Sequence, residues 1–358
     1  MKHPALALAI LAALIPVRAA YAQSTTQIYG IIDAGVEVVD NARVDSRVDA
    51  SGRAGGSLFK VVSGGKNTSR WGIRGSEELG GGLKAVWNLE GGLLMDVGAS
   101  DGAVFKRQAY VGLDGALGRI VIGRSFTTTY ETVIKFDPLG FAPNYSWATG
   151  GSATGPSKYG MTTQFDNLVK YTGKTGGFTY GASVGLGEQS TGNRDGRKIA
   201  LGGSWFGGPV GLMATWERVN GSMPTLSAAR DDTTAWHLAA SYQSGDWRHI
   251  AGMRAYDNRG AAGLRANTYW GGIIRTIDAV TLTGAVYHID TRNRTAVPDA
   301  NPTLLVLRAM YALSPRTVLY LSAARARAGD GQTISLSRDD EGYGSTQRGV
   351  TAGIQHRF

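Results

Sequence analysis

Residues 27–38 read Gln-Ile-Tyr-Gly-Ile-Ile-Asp-Ala-Gly-Val-Glu-Val. Ile28, Gly30, Ile32, Ala34, Val36 and Val38 share one parity, while Gln27, Tyr29, Asp33, Gly35 and Glu37 share the other with only Ile31 out of place. A period of two marks an extended chain, because successive side chains leave opposite faces of a strand. One face here suits lipid and the other suits water. Similar dyads recur at Ala85/Trp87/Leu89, Ala109/Val111/Leu113, Phe178/Tyr180/Ala182/Val184, Val210/Leu212/Ala214/Trp216, Trp236/Leu238/Ala240/Tyr242, Val280/Leu282/Gly284/Val286 and Leu305/Leu307/Ala309/Tyr311. Aromatic residues often close these segments, where interfacial girdles need them.

The connections alternate too. Short Gly/Pro/Asp-rich turns fall around Gly75–Gly82, Asp114–Gly118, Gly173–Gly177, Gly207–Pro209, Ser244–Asp246, Thr276–Ala279 and Ser314–Arg316. Longer polar segments lie between them: Val39–Leu58, Asp96–Val104, Ser125–Gln164, Gly187–Arg197, Val219–Asp232, Asp257–Ala266, Asp290–Pro302 and Ala326–Thr346. Seven turns and eight loops make fifteen connections, and hence sixteen strands with both termini on the short-turn side. The expected fold is all-β, a closed sixteen-stranded antiparallel transmembrane β-barrel. Closure satisfies every backbone donor and acceptor within lipid, so a sequence this polar needs no conventional core. A soluble sandwich or propeller shares the alternation, but predicts neither the strict short/long succession nor a chain alternating through Val350, Ala352, Ile354 and His356 to a terminal Phe358.

Residues 1–22 stand apart as an expected secretory signal. Lys2 and His3 precede an apolar run from Ala5 to Ile15, and Ala20-Tyr21-Ala22 has the small-x-small form of a cleavage site. The run is too short to span a bilayer as a helix, and Pro16 interrupts it. The expected barrel domain is therefore 23–358. It contains no cysteine, so no disulfide or thiolate metal site. Formal charge falls from +9 to +7 when Lys2 and Arg18 are removed. Such a basic balance suits anionic solutes or anionic lipid; export and the lack of a lysine-rich or base-stacking cluster argue against nucleic acid.

Several stretches together carry a family likeness: residues 27–35 (QIYGIIDAG), 69–80 (SRWGIRGSEELG), 106–113 (KRQAYVGL), 122–124 (IGR), 166–171 (DNLVKY) and the final His356-Arg357-Phe358. The sequence resembles the Gram-negative porin superfamily, in particular the general porins of β-proteobacteria. The resemblance implies a homotrimer in the outer membrane, in contact with outer-membrane lipid and lipopolysaccharide. It implies passive diffusion of ions and small anionic or neutral solutes through each monomer's own lumen, with the third extracellular loop folded inward as a constriction. It also implies that the barrel assembly machinery reads the terminal aromatic Phe358. No cofactor is implied.

The third long segment, Ser125–Gln164, is roughly three times the length at which structureless loops become unusual and usually functional. Phe126, Tyr130, Val133, Ile134, Phe136, Leu139, Phe141, Tyr145 and Trp147 would be awkward in open water, so the loop is expected to pack on an inner wall. Its acids Glu131 and Asp137 are matched in number by Lys135 and Lys158. The resemblance places the segment around Asp137 at the constriction, facing basic residues across the lumen.

The basic side follows from parity. Trp71 and Ile73 point outward, which sends Arg70 and Arg74 into the wet interior, away from a lipid face where each would cost a few kcal/mol. Arg107 is matched by resemblance to another wall residue, although simple alternation gives it the outward parity of Ala109 and Val111. Arg124 closes a strand and leads into the long loop. Many relatives carry an arginine just before Asp166-Asn167, whereas this chain has Gln164-Phe165. Ordinary hydrated wall arginines pairing with Glu90 or Asp33 are the bland alternative for these positions.

Enzymatic readings lack support. His237, His249, His288 and His356 are scattered, and no H-E-x-x-H, nucleophile-elbow or phosphate-loop spacing occurs. A barrel lipase or protease would need a dispersed constellation that spacing does not reveal. The main functional alternative is a substrate-selective channel for a carboxylate or sugar; lumen-side Tyr29 and Tyr110 are too few for an aromatic sugar slide.

Overall fold

The computed structural model describes residues 24–42, 56–140, 142–151, 158–190, 192, 194–221, 230–295, 299–337, 342 and 344–358. The signal reading for residues 1–22 and part of the first loop fall outside the described residues. The barrel strands are β1 Ser24–Ala42, β2 in two segments Gly56–Ser63 and Arg70–Gly80, β3 Leu83–Leu94, β4 Gln108–Gly115, β5 Gly118–Phe126, β6 Gln164–Thr175, β7 Phe178–Gly185 and β8 Lys198–Gly207. They continue as β9 Val210–Val219, β10 Thr233–Ser244, β11 Trp247–Asn258, β12 Arg265–Ile277, β13 Val280–Thr291, β14 Thr303–Ala312, β15 Thr317–Arg327 and β16 Thr346–Arg357. A further pair, Ala99–Ser100, folds back on Leu93 and Leu94 and belongs to the second loop.

Each strand pairs antiparallel with its sequence neighbours, and β1 closes the sheet by pairing β16 from Ile31 opposite Arg357 to Val39 opposite Gly349. Gly30 and Phe358 complete the seam, each donating its N–H to the other's carbonyl at 3.1 and 3.2 Å. The seven turn regions expected from sequence all join strands here, and the eight long segments connect strand ends at the opposite end. Gly176 and Gly208 take φ of 53° and 55°, the left-handed backbone that a tight hairpin needs.

Alternation sorts the faces as the sequence implies. On β14, Leu305 and Leu307 are exposed on the outside while Leu304, Val306 and Arg308 are buried inside. The break in β2 was not anticipated. Residues 64–69 leave the ladder and bring backbone over the Asp33 carboxylate, which accepts from the Asn67 N–H at 2.7 Å, the Tyr320 hydroxyl at 2.7 Å and Gln355 Nε2 at 3.0 Å.

The expectation that the barrel needs no conventional core requires correction. One buried apolar cluster joins lumen-facing Met213, Ile250, Trp270, Tyr287, Leu304 and Val306 to Phe136, Leu139, Tyr145 and Trp147 of the third loop and Ile334 and Leu336 of the eighth. The inner wall from β9 to β15 thus carries apolar side chains among its buried polar ones. Those apolar side chains would be poorly wetted, and the loops remove them from water.

Candidate channel constriction

The third loop leaves β5 as a short helix, α1 Thr128–Val133, followed by a tight turn at Ile134–Phe136. Thr127 caps α1, its Oγ1 accepting from the Tyr130 N–H at 3.0 Å. The helix is pinned at its start where Ser183 of β7 accepts from the Thr128 N–H at 2.9 Å. Beyond it, the chain meets one wall side chain after another. Arg248 Nη2 donates to the Lys135 carbonyl at 2.7 Å, Trp270 Nε1 to the Phe136 carbonyl at 2.8 Å, and Arg308 Nη1 to the Leu139 carbonyl at 3.2 Å. Arg254, fully buried, donates to the carbonyls of Ala148 at 2.7 Å and Gly150 at 3.0 Å. Tyr145 reaches β1, donating to Glu37 at 2.8 Å. A segment that touches β7, β11, β12, β14 and β1 crosses the interior of the barrel.

These contacts have one physical logic. An irregular segment inside a barrel cannot pair its own carbonyls, so long wall donors meet them. Burial, reinforced by the Glu37 carboxylate, pushes the Tyr145 hydroxyl above its ordinary range and keeps it a neutral donor. Burial also lowers the Lys135 ammonium, against the pull of Glu131.

Among the described residues, voids lie between the loop and β2 to β6. One void of about 270 Å³ is lined by Asn67, Thr68, Arg70, Glu90, Arg107 and Gln108 on the wall side and by Phe126, Tyr130, Ile134 and Gly140 on the loop side. A second of about 200 Å³ adds Asp101, Lys106, Arg124, Thr163 and Gln164. Toward the short-turn end, a void of about 580 Å³ is bordered by Arg119, Lys135, Lys170 and Lys174 with Asp114 and Glu131. Together the two smaller voids are lined by four cations, Arg70, Lys106, Arg107 and Arg124, and two carboxylates, Glu90 and Asp101.

The sequence-derived residues are only partly brought together. Arg70 lines the narrower passage 3.9 Å from Glu90, and Arg107 binds the same carboxylate at 2.7 Å with its guanidinium over the Phe126 ring at 5.2 Å. Arg107 precedes β4 instead of lying in it, which frees it from the outward parity that the alternation gave it. Arg124 bonds the Lys106 carbonyl and Asp166 at the base of the loop. Arg74 is four residues, ~13 Å, further along β2; it lies over the Tyr29 ring at 4.7 Å, bonds Gln27, and lines neither narrow void.

On the acidic side, Glu131 pairs with Lys170 at 2.8 Å. The implied position of Asp137, facing the basic wall, differs from its placement: it is buried on the far side, accepting from Tyr287 at 2.7 Å and Ser146 at 2.6 Å. The residues missed by sequence reasoning are the loop anchors Arg248, Arg254, Trp270, Tyr287 and Arg308. Their inward parity was legible; their partners were not.

A sequence pattern described as Gram-negative porin matches residues 5–331 of this chain. Outer membrane porin protein 32 of Delftia acidovorans is 31% identical over 376 aligned residues, covering 100% of both chains. This chain is a Gram-negative porin. An outer membrane porin of Bordetella pertussis is 28% identical with the same complete coverage. Among solved structures, the anion-selective porin from Comamonas acidovorans superposes with a TM-score of 0.77 at 26% identity, covering 94% of this chain and 100% of that one. The porin is accordingly a multi-pass outer-membrane channel, and its long-loop end faces outward from the cell.

Proposed function

We propose that this porin passes small hydrophilic solutes by diffusion with a weak-to-moderate preference for anions, set mainly by Arg70 and Arg107 and supported by Arg124 and Lys106. The observation that carries this reading is the charge excess of the two smaller voids: four cations and two carboxylates line them, Lys106 paired with Asp101 and Arg107 with Glu90, against Tyr130, Ile134 and Gly140 of the loop. The related solved structure is of a porin described as anion-selective. Gln164 borders the passage where many relatives place an arginine, so the positive field is held by fewer groups. In this reading Glu131, ion-paired with Lys170, and Asp137, buried behind the loop against Tyr287, add little opposing field because neither lines the two voids.

The full reading also includes a homotrimer bearing lipopolysaccharide and lipid on its free surface, delivered by the barrel assembly machinery after removal of residues 1–22. Val111 opposite Ile122 and Leu113 opposite Ile120 form an exposed apolar quartet on β4 and β5 suited to a neighbouring subunit. Reversal potentials across a KCl gradient in planar bilayers test the selectivity. A chloride-favouring potential is expected; a potassium-favouring one refutes the reading. Conductance that saturates with a carboxylate or sugar would instead favour the substrate-selective alternative.

A further inference from the structure

On the outer face of the barrel, cross-strand register produces a furrow that has no part in conduction. Gly284 of β13, Ala309 of β14 and Ala323 of β15 are small outward residues set among Leu282 and Leu321, and the depression they leave has a volume of about 540 Å³. At one edge stands Arg275 of β12, paired across the ladder with Trp247 of β11 and directly opposite Leu282. Its guanidinium lies over the Trp247 ring at 4.8 Å. Arg275 Nε is shielded from solvent and has no hydrogen-bond partner. Among the described residues no carboxylate forms an ion pair with it, the turn acids Asp246 and Asp278 included. Arg275 stands three residues before the short turn at Asp278–Ala279, and so at the periplasmic edge of the membrane band, and the furrow runs from it up the lipid-facing wall.

We propose that this furrow is a binding site for a phospholipid of the inner leaflet, with an acyl chain lying over Gly284, Ala309 and Ala323 and the phosphate held by Arg275. Three observations select this occupant. The furrow is lined by apolar side chains in the lipid-facing band, which suits a hydrocarbon chain. An arginine at headgroup depth, with an orphaned donor, seeks an anion with several acceptor oxygens, and a phosphate offers them in the geometry that guanidinium fits. Trp247 fixes the guanidinium from one side and is itself a residue that prefers the headgroup boundary. A basic site of this kind beside an apolar groove is the general form of lipid headgroup recognition. Lipopolysaccharide occupies the opposite leaflet, where the long loops emerge.

The test is native mass spectrometry of the intact assembly released from detergent, titrated with phosphatidylglycerol, with lipopolysaccharide and inorganic phosphate as competitors. The wild type is expected to hold phospholipid that inorganic phosphate does not displace. Arg275→Gln should weaken binding about five- to tenfold, and Gly284→Leu, which fills the furrow, should abolish it. Arg325→Gln, an outward arginine at the other rim, should leave it unchanged. Equal binding by the wild type and Arg275→Gln overturns the proposal, as does preferential capture of lipopolysaccharide. Loss of the oligomer on substitution would assign the furrow to a second copy of the chain and overturn it equally. Because Arg275→Gln changes one surface side chain, it remains informative even where Gly284→Leu fails to assemble.

Discussion

Arg107 illustrates how little room separates an outward residue from an inward one. Its parity with Ala109 points to lipid, yet it stands one residue before β4, where the Glu90 carboxylate and the Phe126 ring hold its guanidinium in the passage. Arg70 shares that carboxylate at a looser 3.9 Å and keeps more of its charge toward the path. A lumen charge acts on a passing ion by roughly 1 kcal/mol or less at ~4 Å in a wet channel, a bias of at most about fivefold in permeability ratio. Arg70→Glu and Arg107→Glu should each move the KCl reversal potential toward potassium, and together they should abolish the chloride preference. Arg74→Glu should move it less, since that residue lies ~13 Å further along the wall, beyond the ~10 Å over which 0.1 M salt screens. An equal shift from Arg74→Glu would place the selective region lower in the channel.

At the scale of the element, the third loop is fixed by packing and by wall donors to its carbonyls. Gly272 of β12 shows how tight this is, because a Cβ there would lie 2.4 Å from Pro138 of the loop. Gly272→Val should therefore push the loop off the far wall toward Arg70 and lower single-channel conductance. Arg254→Met acts in the opposite sense. It keeps the bulk but leaves the carbonyls of Ala148 and Gly150 without their donors, each a loss of about 1–3 kcal/mol for a buried group. The expected result is a loop that samples more positions, read as noisier current and a lower unfolding temperature. Quiet, wild-type current from Arg254→Met would show that apolar packing alone holds the loop.

For the whole molecule, closure decides assembly. The β1–β16 seam ends at the reciprocal Gly30–Phe358 bonds, and the Phe358 ring rests where a Gly30 Cβ would lie 2.3 Å from it. An unpaired strand edge in lipid costs several kcal/mol per unsatisfied group. Deleting Phe358 should cut outer-membrane yield far more than synthesis, and Gly30→Leu should impair assembly by displacing the ring. Normal yield from both variants would contradict this account of the seam. Intact protein from the outer membrane should have a mass beginning at Gln23, and unheated protein in gentle detergent should migrate as a trimer. A chain still carrying Met1, or a monomer band, would count against these two expectations.

Periodicity by itself determined the strand count, the two ends of the barrel and the inward side of β1. A period-two pattern between short and long connections admits one closed arrangement in a membrane, and local chemistry suffices to write it. The length and apolarity of the third segment likewise announced that it would leave water. Contacts between residues far apart in the chain were decided only by the tertiary structure. At the break in β2, Asp33 gathers the Asn67 N–H together with donors from Tyr320 and Gln355 across the seam. Asp137 turned from the path because Tyr287, 150 residues away, supplies a hydroxyl behind the loop. Alternation tells which side of the wall a residue occupies. How far it stands from a partner on another strand depends on barrel curvature and the course of a loop, and neither is a property of the local sequence.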